Sequence, residues 1–392
     1  MHFQGYVSPD FEPVRHAFAG NFVRRHELGG ACAVYQHGEK VVDLWGGVRN
    51  GMTGEPWQED TMVIVYSATK GPAAMTLAIA HSRGWLDYDE RVAEYWPEFA
   101  QNGKEAITVR QLLGHQAGLY GLDVPIDRDL VADPDRLAAV LARQRPAWKP
   151  GTRQGYHAIT LGFYESELLR RIDPGRRTLG AFFQDEIATP LGLDFYIRLP
   201  GSIPDSRLAR ISRPSPLRMA RDFPLRMTVA ALNPHSRIAR SLDGSQLPHD
   251  EARIYARDFE VPSGGGVGTA RGLAHAYAVF AAGGRELGLS PDTLAELAAP
   301  PVPPAGGFRD VCMKGDVRFS LGFMKPSPAW PFGGEQSFGA PGSGGSLGFG
   351  DPEAGIGYAY VTSRMGTYLT GDPRDRALRD AAYGAALATS EV

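Results

Sequence analysis

The sequence predicts an α/β (α+β) fold: one antiparallel sheet built from both ends of the chain, flanked by N- and C-terminal helices, with a mainly helical lobe inserted between them. Three observations predict it. A helical period followed by a strand pair opens the chain, and a glycine-rich strand pair followed by a helical period closes it. Between about 85 and 250, helical patterns alternate with proline-rich loops instead of long alternating strands. The chain, 1–392, reads as a single domain with a sheet lobe from 1–84 and 251–392 and a helical lobe from 85–250.

Asp10 is expected to cap a helix over 11–28, because Phe11, Val14, Phe18 and Phe22 share one face and Gly29-Gly30 stop it. "ACAVYQHGEKVVDLWGG" then reads as two strands around a turn at His37-Gly38. "VIVYSATKGPAAMTLAIAHSRG" reads as a helix that starts near Ser67, with Met75 and Ile79 facing inward and Pro72 threatening a kink. The loops at 200–250 and 299–335, rich in proline, are read as ordered rims of a site. "SLGFGDPEAGIGYAYVTSRM" reads as two strands joined at Asp351-Pro352. A helix follows from Asp372-Pro373, with Leu378, Ala381, Ala382 and Ala385 on its apolar face.

Of the 392 residues, 43% are hydrophobic and 22% charged, the proportions of a water-soluble globular protein, and the net charge is −3. No block of like charge marks a nucleic-acid or membrane footprint, so a small, mostly uncharged substrate is expected. Cys32 and Cys312 have no metal-knuckle or redox spacing; buried, reduced thiols are the plain reading, with a disulfide as the alternative. No basic and apolar leader opens the sequence and no stretch matches a membrane span, so a cytoplasmic setting is expected. Walker, dinucleotide and H-E-x-x-H patterns are lacking, so neither a cofactor nor a metal is expected, and the oligomeric state is not legible.

Two serines compete as nucleophiles. Ser346 sits in "GGSLG", a G-x-S-x-G match, but an elbow of that kind needs a helix after the serine and a histidine later in the chain. The last histidine is His275, and turn and strand patterns follow Ser346. Ser67 instead lies three residues before Lys70, so both share one face of a helix, with Cβ atoms about 5–6 Å apart. First-turn amides also face the place where an oxyanion would form. Lysine can take the serine proton only when neutral, which burial or a neighbouring cation favours. With six lysines in the chain, the S-x-x-K spacing alone is suggestive, and a solvated Lys70 is the bland alternative.

Three boxes widen the match: "SATK" at 67–70, "PGTRQGYHAITLGFYESELLRR" at 150–171 and "FGAPGSGGSLGFGDPE" at 338–353. In order and spacing they resemble the serine β-lactamase-like esterases called family VIII carboxylesterases, related in architecture to class C β-lactamases and D-alanyl-D-alanine carboxypeptidases. Supporting stretches at 109–119, 186–200 and 263–280 extend the resemblance over nearly the whole chain. It implies a β-lactamase/transpeptidase-like fold and one catalytic domain.

The resemblance implies that Ser67 is acylated, that Lys70 is its partner, and that Tyr156 relays protons, with either lysine or tyrosine as first base. It also implies oxyanion amides at Ser67 and Ser343, the latter in the third box beside Gly342 and Gly344. Where β-lactamases carry Lys-Thr-Gly, this chain has Ala340-Pro341-Gly342, which lacks a cation for a substrate carboxylate and favours neutral esters. Tyr120, Trp148, Trp330 and Phe332 are candidate pocket walls, with core packing as the alternative for each, and Gly342 and Gly344 are candidate substrate-binding positions where the main chain approaches the substrate. His115 and His157 read as structural. The expected function is hydrolysis of short-acyl esters through an acyl-enzyme; the rivals are a β-lactamase or peptidase, and a binding protein that keeps the scaffold without catalysis.

Overall fold

In the computed structural model, residues 3–215, 230, 232–244, 247, 257–368 and 371–390 are described. Among the described residues, the strands are β1 (Phe3–Val7), β2 (Gly29–Gln36), β3 (Glu39–Gly47), β4 (Val63–Ile64), β5 (Phe195–Tyr196), β6 (Val267–Gly268), β7 (Arg318–Ser320), β8 (Phe323–Lys325), β9 (Phe338–Pro341), β10 (Leu347–Asp351) and β11 (Ile356–Thr362). The α-helices are α1 (Glu12–Arg24), α2 (Lys70–Ser82), α3 (Val92–Tyr95), α4 (Val109–Leu113), α5 (Arg128–Val131), α6 (Pro134–Arg143), α7 (Thr160–Ile172), α8 (Leu179–Phe183), α9 (Arg237–Ser241), α10 (Ala270–Ala281), α11 (Pro291–Ala298) and α12 (Pro373–Ser390). The main sheet is antiparallel with eight strands in the order β1-β3-β2-β11-β10-β9-β8-β7, and a small sheet has the order β4-β6-β5. Both chain ends therefore meet at the sheet's centre, where β2 pairs with β11 from Gln36↔Ile356 to Gly30↔Thr362.

Alternation along β2 explains the layers. Cys32 and Val34 point into a core shared with Val14, Phe18 and Phe22 of α1 and Leu378 and Ala382 of α12. Ala33 and Tyr35 point the other way, into a core with Leu273 and Tyr277 of α10 and the apolar face of α2. The glycines of the last strands let α10 lie tightly on the sheet: a Cβ on Gly357 would stand 2.3 Å from the Ala278 nitrogen.

Several expectations are corrected. Asp10 caps nothing: it lies in a 3-10 turn, Pro9–Phe11, and α1 ends at Arg24, not 28. The chain opens on β1, a short edge strand paired with β3, ahead of that helix. The 299–335 stretch is not all loop, since it holds α11's exit and the β7–β8 hairpin. Within 200–250, residues 216–229, 231, 245–246 and 248–250 lie outside the described residues. Pro72 is no obstacle, because it falls in the first turn of α2, where amides have no helical acceptor. Cys32 and Cys312 are buried free thiols, not a disulfide. Among the described residues, no helix is long and apolar enough to cross a membrane.

Candidate active site

Ser67 stands on a 3-10 turn, Tyr66–Thr69, that runs directly into α2. Tyr66 enters it with φ 49°, a left-handed conformation rare for a bulky side chain, so the turn is held by its surroundings. Thr69 does much of the holding: its hydroxyl donates to the Tyr66 carbonyl at 2.5 Å and accepts the Gly266 amide at 2.9 Å. The Val65 amide donates to the Gly266 carbonyl at 2.9 Å. In a 3-10 turn residues three apart eclipse, which draws Ser67 and Lys70 together.

Lys70 is 3% exposed, and its Nζ has three oxygen neighbours: the Ala158 carbonyl at 2.6 Å, the Ser263 carbonyl at 2.9 Å and Ser67 Oγ at 3.4 Å. Carbonyls only accept, so they take two N–H bonds and leave the nitrogen's remaining position aimed at Ser67. Lys104 and Lys325 show the structural variant of this arrangement. Each is buried and donates to three carbonyls, and burial pulls each ammonium's pKa down to about 8. Lys70 differs from them in having a hydroxyl as its third neighbour.

Tyr156 closes the group. Lys70 Nζ lies 4.9 Å from its ring centroid, and the ring stacks on Phe319 at 5.5 Å. The main chain around it is fastened by side chains. Ser241 Oγ donates to the Tyr156 carbonyl and accepts the Ala158 amide at 3.1 Å, His115 Nδ1 accepts the His157 amide at 3.0 Å, and the Asp310 carboxylate accepts the Tyr156 amide. His157 Nε2 accepts the Leu119 amide at 3.2 Å. Both histidines are fully buried. Burial, then His157 and Lys70, hold His115 well below the usual imidazole range; burial, then Lys70, bring His157 down to about 3. As neutral rings they brace the tyrosine loop, the structural role their sequence context implied.

The third box forms the β9–β10 hairpin, with Gly342 pressed on the Tyr66–Thr69 turn: a Cβ there would meet the Val65 carbonyl at 2.0 Å and the Ala68 nitrogen at 3.4 Å. Its own amide is used, donating to the Ser346 carbonyl at 2.7 Å. Ser343 is exposed at the turn, while Gly344 (φ 91°) packs on Met365. Ser346 is 3% exposed between two strands and no helix follows it, so the elbow geometry is absent. Tyr120 and Trp148 stack at 5.5 Å, and the Trp148 ring covers Gly155 beside Tyr156. Trp330 is 8% exposed and lines a small cleft behind Pro341, Gly342 and Ser346. Phe332 is 1% exposed and packs on Phe349, a core position, because its loop folds under the sheet.

Sequence reasoning missed Ala158, Ser263, Ser241, Thr69, Asp310 and Glu165. The first two act through main-chain carbonyls, which any residue supplies; Thr69 and Glu165 lie inside the first and second boxes without being singled out by them, and Ser241 and Asp310 are common polar residues outside any box. Among the described residues, no group of three or more His, Cys, Asp or Glu side chains could hold a metal ion.

Known proteins share this arrangement's scaffold. The Beta-lactamase family matches residues 14–383. Esterase/beta-lactamase LipL of Mycobacterium tuberculosis (strain ATCC 25618 / H37Rv) is 34% identical over 376 residues, 92% of this chain and 83% of LipL. A family VIII carboxylesterase of known structure superimposes with a TM-score of 0.85 at 34% identity, covering 98% of this chain and 100% of that one. A penicillin-binding protein homologue from Caulobacter crescentus gives the same TM-score of 0.85, identity of 34% and coverage of 98% and 100%. Fold, family match and relatives agree, and the chain belongs to the beta-lactamase family.

Proposed function

We propose that the protein is a serine carboxylesterase that hydrolyses short-acyl-chain esters through an acyl-enzyme on Ser67. The observation that carries this reading is the setting of Lys70 Nζ, fixed by two carbonyls with its remaining position on Ser67 Oγ. The names of two relatives, an esterase/beta-lactamase and a family VIII carboxylesterase, support the same class.

In this reading the Lys70 amine takes the Ser67 proton as Oγ attacks the ester carbonyl. The resulting ammonium then has three acceptors for its three N–H bonds, so the charge formed in the step meets prearranged dipoles. The amides of Ser67 and Ser343 hold the oxyanion. Tyr156 Oη gives a proton to the departing alkoxide as the carbonyl carbon–oxygen bond breaks, and regains one from the Lys70 ammonium. Water attacks the acyl-serine with the proton flow reversed, releasing the acid and restoring Ser67. Tyr120 and Trp148 wall the cleft next to Tyr156, and buried free thiols are in keeping with a reducing, cytoplasmic setting.

The test is hydrolysis of p-nitrophenyl butyrate by Ser67→Ala and Ser346→Ala, with a fluorophosphonate label on each. Ser67→Ala is expected to lose labelling and activity, and Ser346→Ala to keep both. The opposite pattern would refute the assignment.

A further inference from the structure

We propose that the cleft between the end of α1 and the start of α12 is a binding site for a phosphate group, carried by a small soluble molecule or by a lipid headgroup. The cleft shares no lining residue with the group formed by Ser67, Lys70 and Tyr156, so the site stands apart from the roles proposed for them.

The chain has a net charge of −3 and no block of like charge, yet the fold gathers arginines from distant positions around one opening. Arg24 and Arg25 come from the end of α1, Arg364 from the exit of β11 and Arg374 from the first turn of α12. The cleft measures about 240 Å³. One water takes about 30 Å³ in the liquid, so a tetrahedral oxyanion and part of its organic body fit.

The arginines have different tasks. Arg374 is frame: its guanidinium donates to Asp372 at 2.8 and 3.0 Å, to Glu27 at 3.3 Å and to the Gly344 and Arg364 carbonyls, each at 2.9 Å. All five of its N–H bonds are used inside the protein, and Asp372, the carboxylate in the cleft wall, is used on it in turn. Asn21 joins the two helix ends. Its amide nitrogen donates to the Arg374 carbonyl at 3.1 Å, and its oxygen accepts Arg25 Nη1 at 3.2 Å. Arg364 donates to the carbonyl of His26, which ties the exit of β11 to the chain leaving α1. The cleft is thus held open by bonds that need no ligand.

Arg24 and Arg25 are matched by no such carboxylate. Among the described residues neither has an ion-pair partner. Gly20 lets their guanidiniums converge, since a Cβ there would stand 2.3 Å from Arg24 Nη2 and 3.3 Å from Arg25 Nη1. Like charges that close repel, and an anion between them turns the repulsion into attraction. One guanidinium fork answers a carboxylate, whereas two forks suit an anion with three or more oxygens. A phosphate monoester, with a charge of about −1.5 to −2 near neutral pH, matches two unpaired arginines. The N-terminal end of α12, a helix of 18 residues, adds its partial positive charge at Pro373 and Arg374. Tyr368 lines the same cleft and is 52% exposed, which leaves a ring face for the organic part of the ligand.

The test compares wild type with Arg24→Gln/Arg25→Gln in inorganic phosphate, with sodium chloride at matched ionic strength as the reference. Phosphate is expected to raise the wild-type denaturation midpoint saturably, and phosphorus NMR titration to give a dissociation constant that the double variant weakens at least about tenfold. The second arm is co-sedimentation with phosphatidylcholine vesicles that contain or lack phosphatidic acid. Capture by the acidic vesicles, lost in the variant, assigns the phosphate to a lipid; a response to free phosphate without capture assigns it to a soluble molecule. A response in either arm supports the site. Both arginines lie outside the proposed catalytic group, so the variant should hydrolyse p-nitrophenyl butyrate as wild type does, which shows it folded. Should it not fold, Arg24→Gln alone serves, with a weakening of about threefold or more. No effect beyond that of chloride together with no capture, or equal effects in wild type and variant, would mean an adventitious ion only and would overturn the proposal. Ser67→Ala retaining activity would overturn the proposed function and leave this site as it stands.

Discussion

Ser241 sits astride the main chain of Tyr156: its hydroxyl donates to the Tyr156 carbonyl at 2.5 Å and accepts the Ala158 amide at 3.1 Å. The residue that it touches on the far side, Ala158, is also the one whose carbonyl binds Lys70. One hydroxyl from α9 thus aligns the proposed proton carrier and a partner of the proposed base. Ser241→Ala leaves two buried main-chain groups unpaired, at a cost of about 1–3 kcal/mol each. We expect kcat to fall roughly tenfold with KM nearly unchanged, because orientation is lost and binding surface is not. Steady-state kinetics with p-nitrophenyl butyrate check this, and a proportional rise in KM would count against a positioning role.

Gly71 has no room for a side chain. A Cβ there would stand 1.7 Å from Tyr277 Oη. Gly71→Ala should therefore cost about 1–3 kcal/mol or more through overpacking, despite the better helix propensity of alanine. Tyr277→Phe removes the nearest atom, and that hydroxyl has no hydrogen-bond partner. The double variant is expected to recover part of the lost thermal stability; denaturation midpoints of both single variants and the pair would show it.

His157 ties stability to acid. Its unfolded form binds a proton below its ordinary pKa of about 6.5, and its folded form only below about 3. Between those values the unfolded chain holds more protons, so the contribution of the neutral ring is complete above about pH 6.5 and is lost as pH falls, by at most about 1.4 kcal/mol per pH unit. His157→Gln should flatten that slope by a similar amount. Urea unfolding at a series of pH values from about 7 down to 5 measures it, and parallel curves would contradict the assignment.

In the proposed reading, the third box bears on substrate charge. Ala340 is 2% exposed in β9 and offers no cation to a carboxylate. A chromogenic cephalosporin should therefore be turned over at least about tenfold more slowly than p-nitrophenyl butyrate, since a charged hydrogen bond is worth roughly 1.5–3 kcal/mol. Equal rates under the same conditions would favour the β-lactamase or peptidase reading.

What the sequence made legible follows its periodicities. Phe11, Val14, Phe18 and Phe22 marked α1, and the turn at His37-Gly38 marked the β2–β3 hairpin, because apolar spacing and turn chemistry are local signals. β1, β7 and β8 escaped because strands of three to five residues carry too few alternations to stand out. Ser67 and Lys70 were visible as a pair at helical spacing; Tyr156 was visible only through resemblance. The carbonyls of Ala158 and Ser263 leave no trace in side-chain identity, and Glu165 reads as a surface residue until α2 and the Leu321-Gly322 turn close over it.

The seam between β2 and β11 also sets when the protein can finish folding. Glu27, just ahead of β2, receives hydrogen bonds from Tyr360 and Thr362, the former 333 positions away. During synthesis the β2–β3 hairpin must wait with one edge bare until Ile356–Thr362 has left the ribosome. Such distant closure is slow, and a bare strand invites pairing with a neighbouring nascent chain. A premature stop shortly before Ile356 would therefore yield an aggregating polypeptide instead of a weakened enzyme.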